Sequence, residues 1–311
     1  MLNLIQHPSM RARMAAASNQ AHLYQLTADD AVTNMPEFVQ LPNASYTRSA
    51  LQVEYQWLLP QQVRAGARPL LVFLHEGLGS LGIWRGFPQQ VCNALGCAGL
   101  VYSREAYGWS SAQQVASQWP AQFLDHQADV VLPALLSALG IDCSQQPVVL
   151  VGHSDGASIA LVAAAHMPQI AGVAALAPHT FVEPQTTNAI AQATQRYAPA
   201  PPQKGLRDAL AKHHQDADSM FACWSNVWLS EAFGQWDIRP MLPSIACPCV
   251  VVQGLDDPYG SNAHAESIKD AAPHTQLVYL QQCGHEPHKD CDAQVVQALI
   301  ELIAPSSKPL G

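Results

Sequence analysis

The chain has 311 residues, of which 49% are hydrophobic and 13% are charged, so it can bury a large core. Its 15 Lys and Arg residues stand against 24 Asp and Glu residues, giving a net charge of −9. Because no basic residues cluster, we expect neither nucleic acid nor an anionic membrane surface as a partner.

Targeting and redox features are sparse. The N-terminus lacks the basic region and apolar stretch of a signal peptide, and no apolar run is long enough to span a membrane. The eight cysteines are scattered without a C-x-x-C pair, which is typical of reduced, mostly buried thiols. We therefore expect a cytoplasmic protein, and the sequence leaves open whether it forms a homo-oligomer.

Residues 1–34 lack a strong hydrophobic period and are rich in Ala, Gln and Asn, so we predict an N-terminal arm outside the folded core. Regular structure is predicted to begin at 38–41 and 51–58, where apolar and polar residues alternate as in antiparallel strands.

From there, continuous apolar strands alternate with helical segments, including one long amphipathic helix at 122–139. Strands are predicted at 69–74, 99–103, 148–151, 170–177, 249–254 and 276–280. This alternation predicts an α/β fold with a mostly parallel central sheet flanked by helices. The alternation of strands and helices stops over residues 181–242, which show helical periods and several aromatic residues. We therefore assign 35–180 and 243–311 to the core and 181–242 to a helical insertion.

The strand at 148–151 runs into Gly152-His153-Ser154-Asp155-Gly156, and a helix of small residues follows. Gly-x-Ser-x-Gly between a strand and a helix is the pattern of a sharp turn that exposes one serine at its apex. The glycines leave room for the strand and helix to approach, and the helix N-terminus favours developing negative charge. Ser154 is therefore a candidate nucleophile.

Two further predicted strands end in reactive residues. Gly254-Leu255-Asp256-Asp257 follows one, and Gly284-His285-Glu286-Pro287-His288 follows the next. The carboxyl ends of parallel strands meet at one edge of an open sheet, where such folds place their sites. A serine hydroxyl needs a base, and that base needs a carboxylate to fix its tautomer. Serine, aspartate and histidine therefore form a candidate catalytic set.

Taken together, these motifs resemble the α/β-hydrolase superfamily, in particular capped serine hydrolases related to meta-cleavage-product hydrolases and haloperoxidase-like esterases. The resemblance covers roughly residues 39–303 and implies the α/β-hydrolase fold with a helical cap at 181–242. It implies Ser154 as nucleophile, His285 as base and Asp257 as acid, because the Gly-x-x-Asp spacing selects Asp257 over Asp256. Glu183 lies where some relatives place the acid and is the alternative.

The resemblance also implies an oxyanion hole. One donor is the backbone N–H of Asp155, the residue after the nucleophile, and the other comes from the loop His75-Glu76-Gly77-Leu78-Gly79. Glu76 occupies the position where the family usually has its first glycine. The second donor is then Gly77 or Leu78, and we favour Gly77.

Several residues are candidates for substrate contact. Trp84 follows the glycine-rich loop, His179 follows a predicted strand, and Trp224 and Trp228 lie in the predicted cap. Phe221 and Phe233 join them as aromatic wall candidates, which favours a small aromatic or medium-chain acyl substrate. Arg104 and Glu183 face the same edge and either contact substrate or support loops.

Other histidines fit structural roles better. His75 and His153 flank functional positions and are predicted to support loops through hydrogen bonds. His285 and His288 form an H-x-x-H pair, but no further ligands occur at a suitable spacing, so we predict neither a metal nor a cofactor.

We therefore predict a serine hydrolase that cleaves a small carboxylic ester, lactone or thioester through an acyl-enzyme. A serine at the apex argues against a dehalogenase or epoxide hydrolase, which use a carboxylate nucleophile. A C–C bond hydrolase of meta-cleavage products uses the same triad and remains an alternative. A non-catalytic ligand-binding protein on the same fold is the other, although it would have little reason to keep all three residues.

Overall fold

The computed structural model describes residues 35–47, 49–58, 68–111, 118–197 and 205–304. The predicted arm at 1–34 lies outside these residues. Within the described part of the chain, no helix is long and apolar enough to cross a membrane.

Across the described ranges, eight strands form one sheet in the order β1-β2-β4-β3-β5-β6-β7-β8. β1 and β2 pair antiparallel, β2 and β4 pair antiparallel, and all later neighbours are parallel. This confirms the predicted, mostly parallel α/β sheet. The strands are β1 (Glu37–Leu41), β2 (Leu51–Leu58), β3 (Leu70–Leu74), β4 (Gly99–Tyr102), β5 (Val148–His153), β6 (Ile170–Leu176), β7 (Cys249–Gly254) and β8 (Gln276–Leu280).

Helices cover both faces of the sheet. Every residue of β3, β5 and β7 is buried, as the continuous apolar runs require. Alternate residues of β3 enter different hydrophobic clusters: Leu70 and Val72 belong to one, and Leu71 and Phe73 to the other. The α-helices are α1 (Phe87–Leu95), α2 (Phe123–His126), α3 (Leu132–Ala138), α4 (Asp155–His166), α5 (Pro184–Tyr197), α6 (Leu206–Leu210), α7 (Ala217–Trp228), α8 (Ala263–Ala271), α9 (Pro287–Asp290) and α10 (Asp292–Ile303).

The single helix predicted at 122–139 is interrupted. A π-helical turn at Gln127–Val131 separates α2 from α3, and the Leu132 N–H bonds to the Gln127 carbonyl five residues back. Pro133 accounts for the widening, because a proline inside an α-helix has no N–H to donate and its ring clashes with the carbonyl four residues earlier.

The described residues between β6 and β7 are largely helical, and the division of the chain at 181 and 242 stays a prediction. It contains α5, α6 and α7, followed by 3₁₀ turns at Phe233–Gln235 and Arg239–Ser244. We call α5–α7 the inserted helices. Aromatic rings hold them together: Tyr197 of α5 stacks on Phe221 of α7 with ring centres 3.8 Å apart.

None of the eight cysteines forms a disulfide bond, and five of them are buried. Burial raises the pKa of the Cys249 thiol to about 12. Buried, protonated thiols of this kind act as small apolar side chains, as the scattered cysteine pattern predicts.

Candidate active site

Ser154 lies at the junction of β5 and α4 with φ 52° and ψ −117°, a conformation that is costly for a non-glycine residue. Its glycine neighbours make the turn possible. A Cβ on Gly152 would lie 2.2 Å from the Gly156 carbonyl oxygen, and one on Gly156 would lie 2.0 Å from the Leu74 carbonyl oxygen. Any side chain at either position would therefore push β5, α4 and β3 apart.

A continuous hydrogen-bonded chain runs from Ser154 through His285 to Asp257. His285 Nε2 lies 2.9 Å from Ser154 Oγ, and His285 Nδ1 lies 2.9 and 2.8 Å from the two carboxylate oxygens of Asp257. A carboxylate can only accept, so Nδ1 carries the hydrogen and Nε2 of the neutral ring faces the serine as an acceptor. This tautomer is the one that can take a proton from the hydroxyl.

Asp257 is held by groups other than His285. Its carboxylate accepts hydrogen bonds from the Tyr259 N–H at 2.8 Å, the Gly260 N–H at 3.2 Å and the Gln253 amide at 2.9 Å. Burial alone raises the pKa of Asp257, but the hydrogen bond and charge of His285 and the backbone donor outweigh it and lower the pKa to about 2. Asp257 is therefore ionised at neutral pH.

Glu183, the alternative acid, belongs to another network. Its carboxylate accepts from the Ser261 N–H at 2.7 Å, the Ser261 hydroxyl at 2.9 Å and His264 Nε2 at 3.0 Å. These contacts tie the start of α5 to the loop before α8, and Glu183 makes no hydrogen bond to His285. The geometry therefore favours Asp257 as the partner of His285.

The loop after β3 is held by its carbonyl groups. Arg104 Nη2 donates to the Glu76 carbonyl at 2.9 Å, the Tyr107 hydroxyl to that of Gly77 at 2.9 Å, and His214 Nε2 to that of Leu78 at 3.2 Å. Within the described residues, the N–H groups of Gly77 and Leu78 donate no hydrogen bond. Anchoring the carbonyls in this way leaves both amides free to donate to a ligand.

Asp155 is the first residue of α4, so its N–H has no partner within the helix. Its buried carboxylate accepts from Trp228 Nε1 at 3.2 Å and lies 3.4 Å from Arg104 Nη2. Arg104 thus contacts both Asp155 and the Glu76 carbonyl, and its side chain is only 1% exposed. Of the two roles left open for Arg104, the structure favours loop support.

A cavity of about 630 Å³ opens above Ser154. The sheet edge contributes Gly77, Asp155, His179 and His285 to its lining, and the inserted helices cover it with Ile190, Leu206, Trp224 and Trp228. His179, Trp224 and Trp228 thus line the cavity, and their contact with substrate stays a prediction. Burial, together with the nearby His264 and His285 rings, lowers the pKa of His179 well below its ordinary value, so its ring is neutral.

Trp84 does not line the cavity, so its predicted contact with substrate does not fit the structure. Its side chain is 2% exposed, with ring centres 5.9 Å from Phe73 and 4.9 Å from His288. It also stacks on Phe87 of α1, with ring centres 6.0 Å apart. Phe221 and Phe233 also lie outside the lining: Phe221 stacks on Tyr197, and Phe233 stacks on Trp236.

The other histidines support loops. His75 Nδ1 donates to the Glu76 carbonyl at 2.7 Å, and Nε2 accepts from the Arg104 N–H at 3.1 Å. His153 Nε2 donates to the His285 carbonyl at 2.7 Å, which holds the chain that carries His285. Across the part of the chain that the structure describes, no group of three or more His, Cys, Asp or Glu side chains could hold a metal ion.

The chain belongs to the alpha/beta hydrolase family, whose model matches residues 71–298. A search of curated proteins gives no match. Solved structures with the same architecture include the enol-lactonase from Burkholderia xenovorans LB400, at 17% identity with a TM-score of 0.61. That alignment covers 82% of this chain and 97% of the enol-lactonase.

Two further structures show the same fold. A thermophilic esterase from Thermogutta terrifontis is 17% identical with a TM-score of 0.60, over 85% of this chain and 97% of the esterase. A serine hydrolase involved in carbazole degradation, CarC, is 13% identical with a TM-score of 0.61, over 87% of this chain and 99% of CarC. Likeness at these identities shows the fold, and the reaction must be argued from the site.

Proposed function

We propose that this protein is a serine hydrolase that cleaves a small carboxylic ester, lactone or thioester through an acyl-enzyme. The observation that carries the proposal is the chain of hydrogen bonds from Ser154 Oγ through His285 to Asp257 at the floor of a covered cavity. The lactonase and esterase among the similar structures are consistent with it.

In the proposed acylation step, Ser154 Oγ attacks the substrate carbonyl while His285 Nε2 takes the hydroxyl proton. Asp257 stabilises the imidazolium that forms, because it is held ionised against Nδ1. The carbonyl oxygen becomes an oxyanion, for which the N–H groups of Asp155 and Gly77 are the proposed donors. His285 then returns the proton to the leaving alcohol or thiol as the C–O or C–S bond breaks.

Deacylation repeats these roles with water. His285 takes a proton from the attacking water, and a second tetrahedral intermediate forms at the same two amides. Its collapse releases the carboxylic acid and returns the proton to Ser154 Oγ. One removed oxyanion donor typically costs about 10²–10³ in kcat, so the anchored loop after β3 is a major part of the proposed machinery.

Burst kinetics test the proposal against a binding protein on the same fold. With p-nitrophenyl acetate we expect a pre-steady-state burst of one nitrophenolate per enzyme, because acylation precedes a slower deacylation. Absence of both burst and turnover would favour ligand capture without catalysis.

A substrate panel tests the bond that is cleaved. The panel contains phenyl esters, short- and long-chain esters, lactones, acyl thioesters and a ring-cleavage dienoate. We expect the substrate with the highest kcat/KM to be an ester, a lactone or a thioester. If the dienoate is turned over orders of magnitude faster than every ester, C–C bond hydrolysis would replace the proposed function.

Three further properties belong to the proposal. The substrate is a small molecule, in keeping with the cavity. The nucleophile, base and oxyanion donors all come from the chain, so activity should survive dialysis against a chelator. The eight cysteines without disulfide bonds are consistent with a cytoplasmic location.

A further inference from the structure

The two tryptophans of α7 that line the cavity differ in what their indole N–H groups do. Trp228 Nε1 donates to Asp155 Oδ1 at 3.2 Å. Trp224 lies one helical turn earlier and is 5% exposed, and its Nε1 has no hydrogen-bond partner within the described residues. Because a buried tryptophan normally satisfies its N–H, the unused donor at Trp224 needs an explanation.

The position of Trp224 supplies one. A Cβ built on Gly77 would lie 2.0 Å from Trp224 Nε1, so the N–H edge of the indole rests directly on Gly77. Gly77 is the proposed oxyanion donor, and both residues line the cavity. The part of an acyl group nearest its ester carbonyl would therefore lie beside the indole N–H when the group is bound to Ser154.

The two other indole N–H groups without a partner do not have this access. Trp84 Nε1 and Trp119 Nε1 also lack partners in the described structure, but neither tryptophan lines the cavity. His179 Nδ1 is likewise buried and without a partner, and His179 does line the cavity. His153 Nδ1 is a third such atom of the lining, but it lies 3.5 Å from the Glu76 carboxylate. Trp224 Nε1 and His179 Nδ1 are therefore the ring nitrogens left for a bound ligand.

The charges of the lining limit the chemistry of the acceptor. The cavity lining contains one guanidinium, that of Arg196, and five carboxylates, those of Glu76, Asp155, Asp256, Glu286 and Asp290. The hydrogen bond and charge of His153 outweigh the effect of burial and lower the pKa of Glu76, so this carboxylate stays ionised. Arg104, His153 and Lys289 face Asp155, Glu76 and Glu286, so these cations already have carboxylate partners. An uncharged oxygen needs no cation and is therefore the expected acceptor for a neutral indole N–H.

We propose that Trp224 donates its indole N–H to an uncharged oxygen on the acyl group, a hydroxyl or ether oxygen a few bonds from the ester carbonyl. The inference rests on the proposed function and narrows its substrate class. An oxygenated acyl group replaces the plain hydrocarbon that the aromatic wall alone would favour.

Two pairs of p-nitrophenyl esters test the proposal, each matched in shape. Methoxyacetate is compared with butyrate, and 3-hydroxybutyrate with 3-methylbutyrate. For each pair, the measured quantity is kcat/KM for the oxygenated ester divided by kcat/KM for the hydrocarbon ester. Comparing this ratio between wild type and variant removes the difference in intrinsic reactivity between the two esters. Trp224→Phe removes the indole N–H, so the acyl oxygen loses its proposed hydrogen-bond donor. The ratio should therefore fall by about tenfold in at least one pair.

Trp236→Phe is the matched control. Trp236 packs beside the inserted helices, its N–H donates to Asp125 Oδ2 at 3.2 Å, and it does not line the cavity. The ester ratios should be unchanged in this variant. If Trp224→Phe does not fold, as judged by circular dichroism, the same ratios are measured with Trp224→Leu.

The outcomes separate the two proposals. Hydrolysis that depends on Ser154, with ester ratios equal in wild type and in the folded Trp224 variant, overturns the role of Trp224 and leaves the hydrolase intact. Absence of Ser154-dependent hydrolysis of all four esters overturns the proposed function itself.

Discussion

The sheet edge that carries Ser154 and the inserted helices above it are held by different kinds of contact. At the edge, backbone meets backbone: Gly156 leaves no room for a Cβ against the Leu74 carbonyl. In the inserted helices, side chains meet side chains, as in the stacked rings of Tyr197 and Phe221. Side-chain packing can be rearranged by substitution more readily than backbone contact can. We therefore expect substitutions at the edge to cost more stability than substitutions in the inserted helices.

The largest effect should come from the edge. Ser154→Ala removes the proposed nucleophile, so hydrolysis of p-nitrophenyl acetate should fall to near background while the fold is retained. Circular dichroism provides the control for folding. A fluorophosphonate should label Ser154 in the wild type, and label found on another serine would defeat the assignment.

Asp257→Asn should cost about 10⁴ in kcat, because an amide would no longer hold the tautomer of His285 or stabilise its imidazolium. Glu183→Gln is the matched control and should cost far less, since Glu183 contacts Ser261 and His264. Steady-state kinetics of both variants decide the matter. The reverse order of losses would move the acid to Glu183.

Gly156→Ala should destabilise the protein by about 3 kcal/mol, because the new Cβ would overlap the Leu74 carbonyl oxygen. The control lies beyond the inserted helices: a Cβ on Gly234 has no atom within 4 Å, so Gly234→Ala should leave Tm unchanged or slightly higher. Thermal unfolding of both variants measures the contrast. Equal losses at the two glycines would contradict it.

A buried carboxylate near the edge predicts a pH dependence of stability. Burial raises the pKa of Glu105 from 4.5 to about 7, and the Tyr46 N–H donates to it at 3.1 Å. The folded chain therefore holds a proton that the unfolded chain releases above pH 4.5. The contribution of this group to the free energy of unfolding is fully present below pH 4.5. It is lost as pH rises to about 7, and the total loss is about 3 kcal/mol.

Glu105→Gln tests this dependence, because the amide keeps an acceptor and cannot ionise. Its Tm should exceed that of the wild type at pH 8 and lose the fall between pH 5 and pH 7. Parallel Tm profiles for the two proteins would show that Glu105 does not titrate in this range.

The smallest effect should come from the surface of the inserted helices. Arg207 of α6 and Asp218 of α7 form an ion pair with two hydrogen bonds, and both side chains are about half exposed. Arg207→Ala should change Tm only slightly, and added salt should remove the difference, because solvent screens such pairs. A large, salt-independent loss would mean that the inserted helices depend on this contact.

Much of the edge could be predicted from local sequence. The Gly-x-Ser-x-Gly pentad, the apolar strand before it and the residues after β7 and β8 are each contiguous, and strand order brings them together. The burial of β3 and β5 followed from their unbroken apolar runs. These features need only short-range pattern and the geometry of a parallel sheet.

Other parts of the site depend on contacts between distant residues. Arg104, Tyr107 and His214 anchor three successive carbonyls of the loop after β3, and no local pattern marks them for that task. Trp84 was expected at the cavity because it follows that loop, but the chain folds back and buries it beside Phe73. Proline at 133 was a visible signal for the interrupted helix, since proline cannot continue the α-helical pattern.

The bond from Trp228 to Asp155 has a consequence for how this fold can be modified. Asp155 follows the nucleophile at the edge, and its buried carboxylate depends on one donor from the inserted helices and one from Arg104. If these helices were exchanged for those of a relative, the Asp155 carboxylate would keep Arg104 but lose the Trp228 N–H. The new segment would have to supply an N–H at the same point. The covering segment and the nucleophile turn are therefore not separable modules. In a chimaera, the residue after the serine would have to be exchanged together with the helices above it.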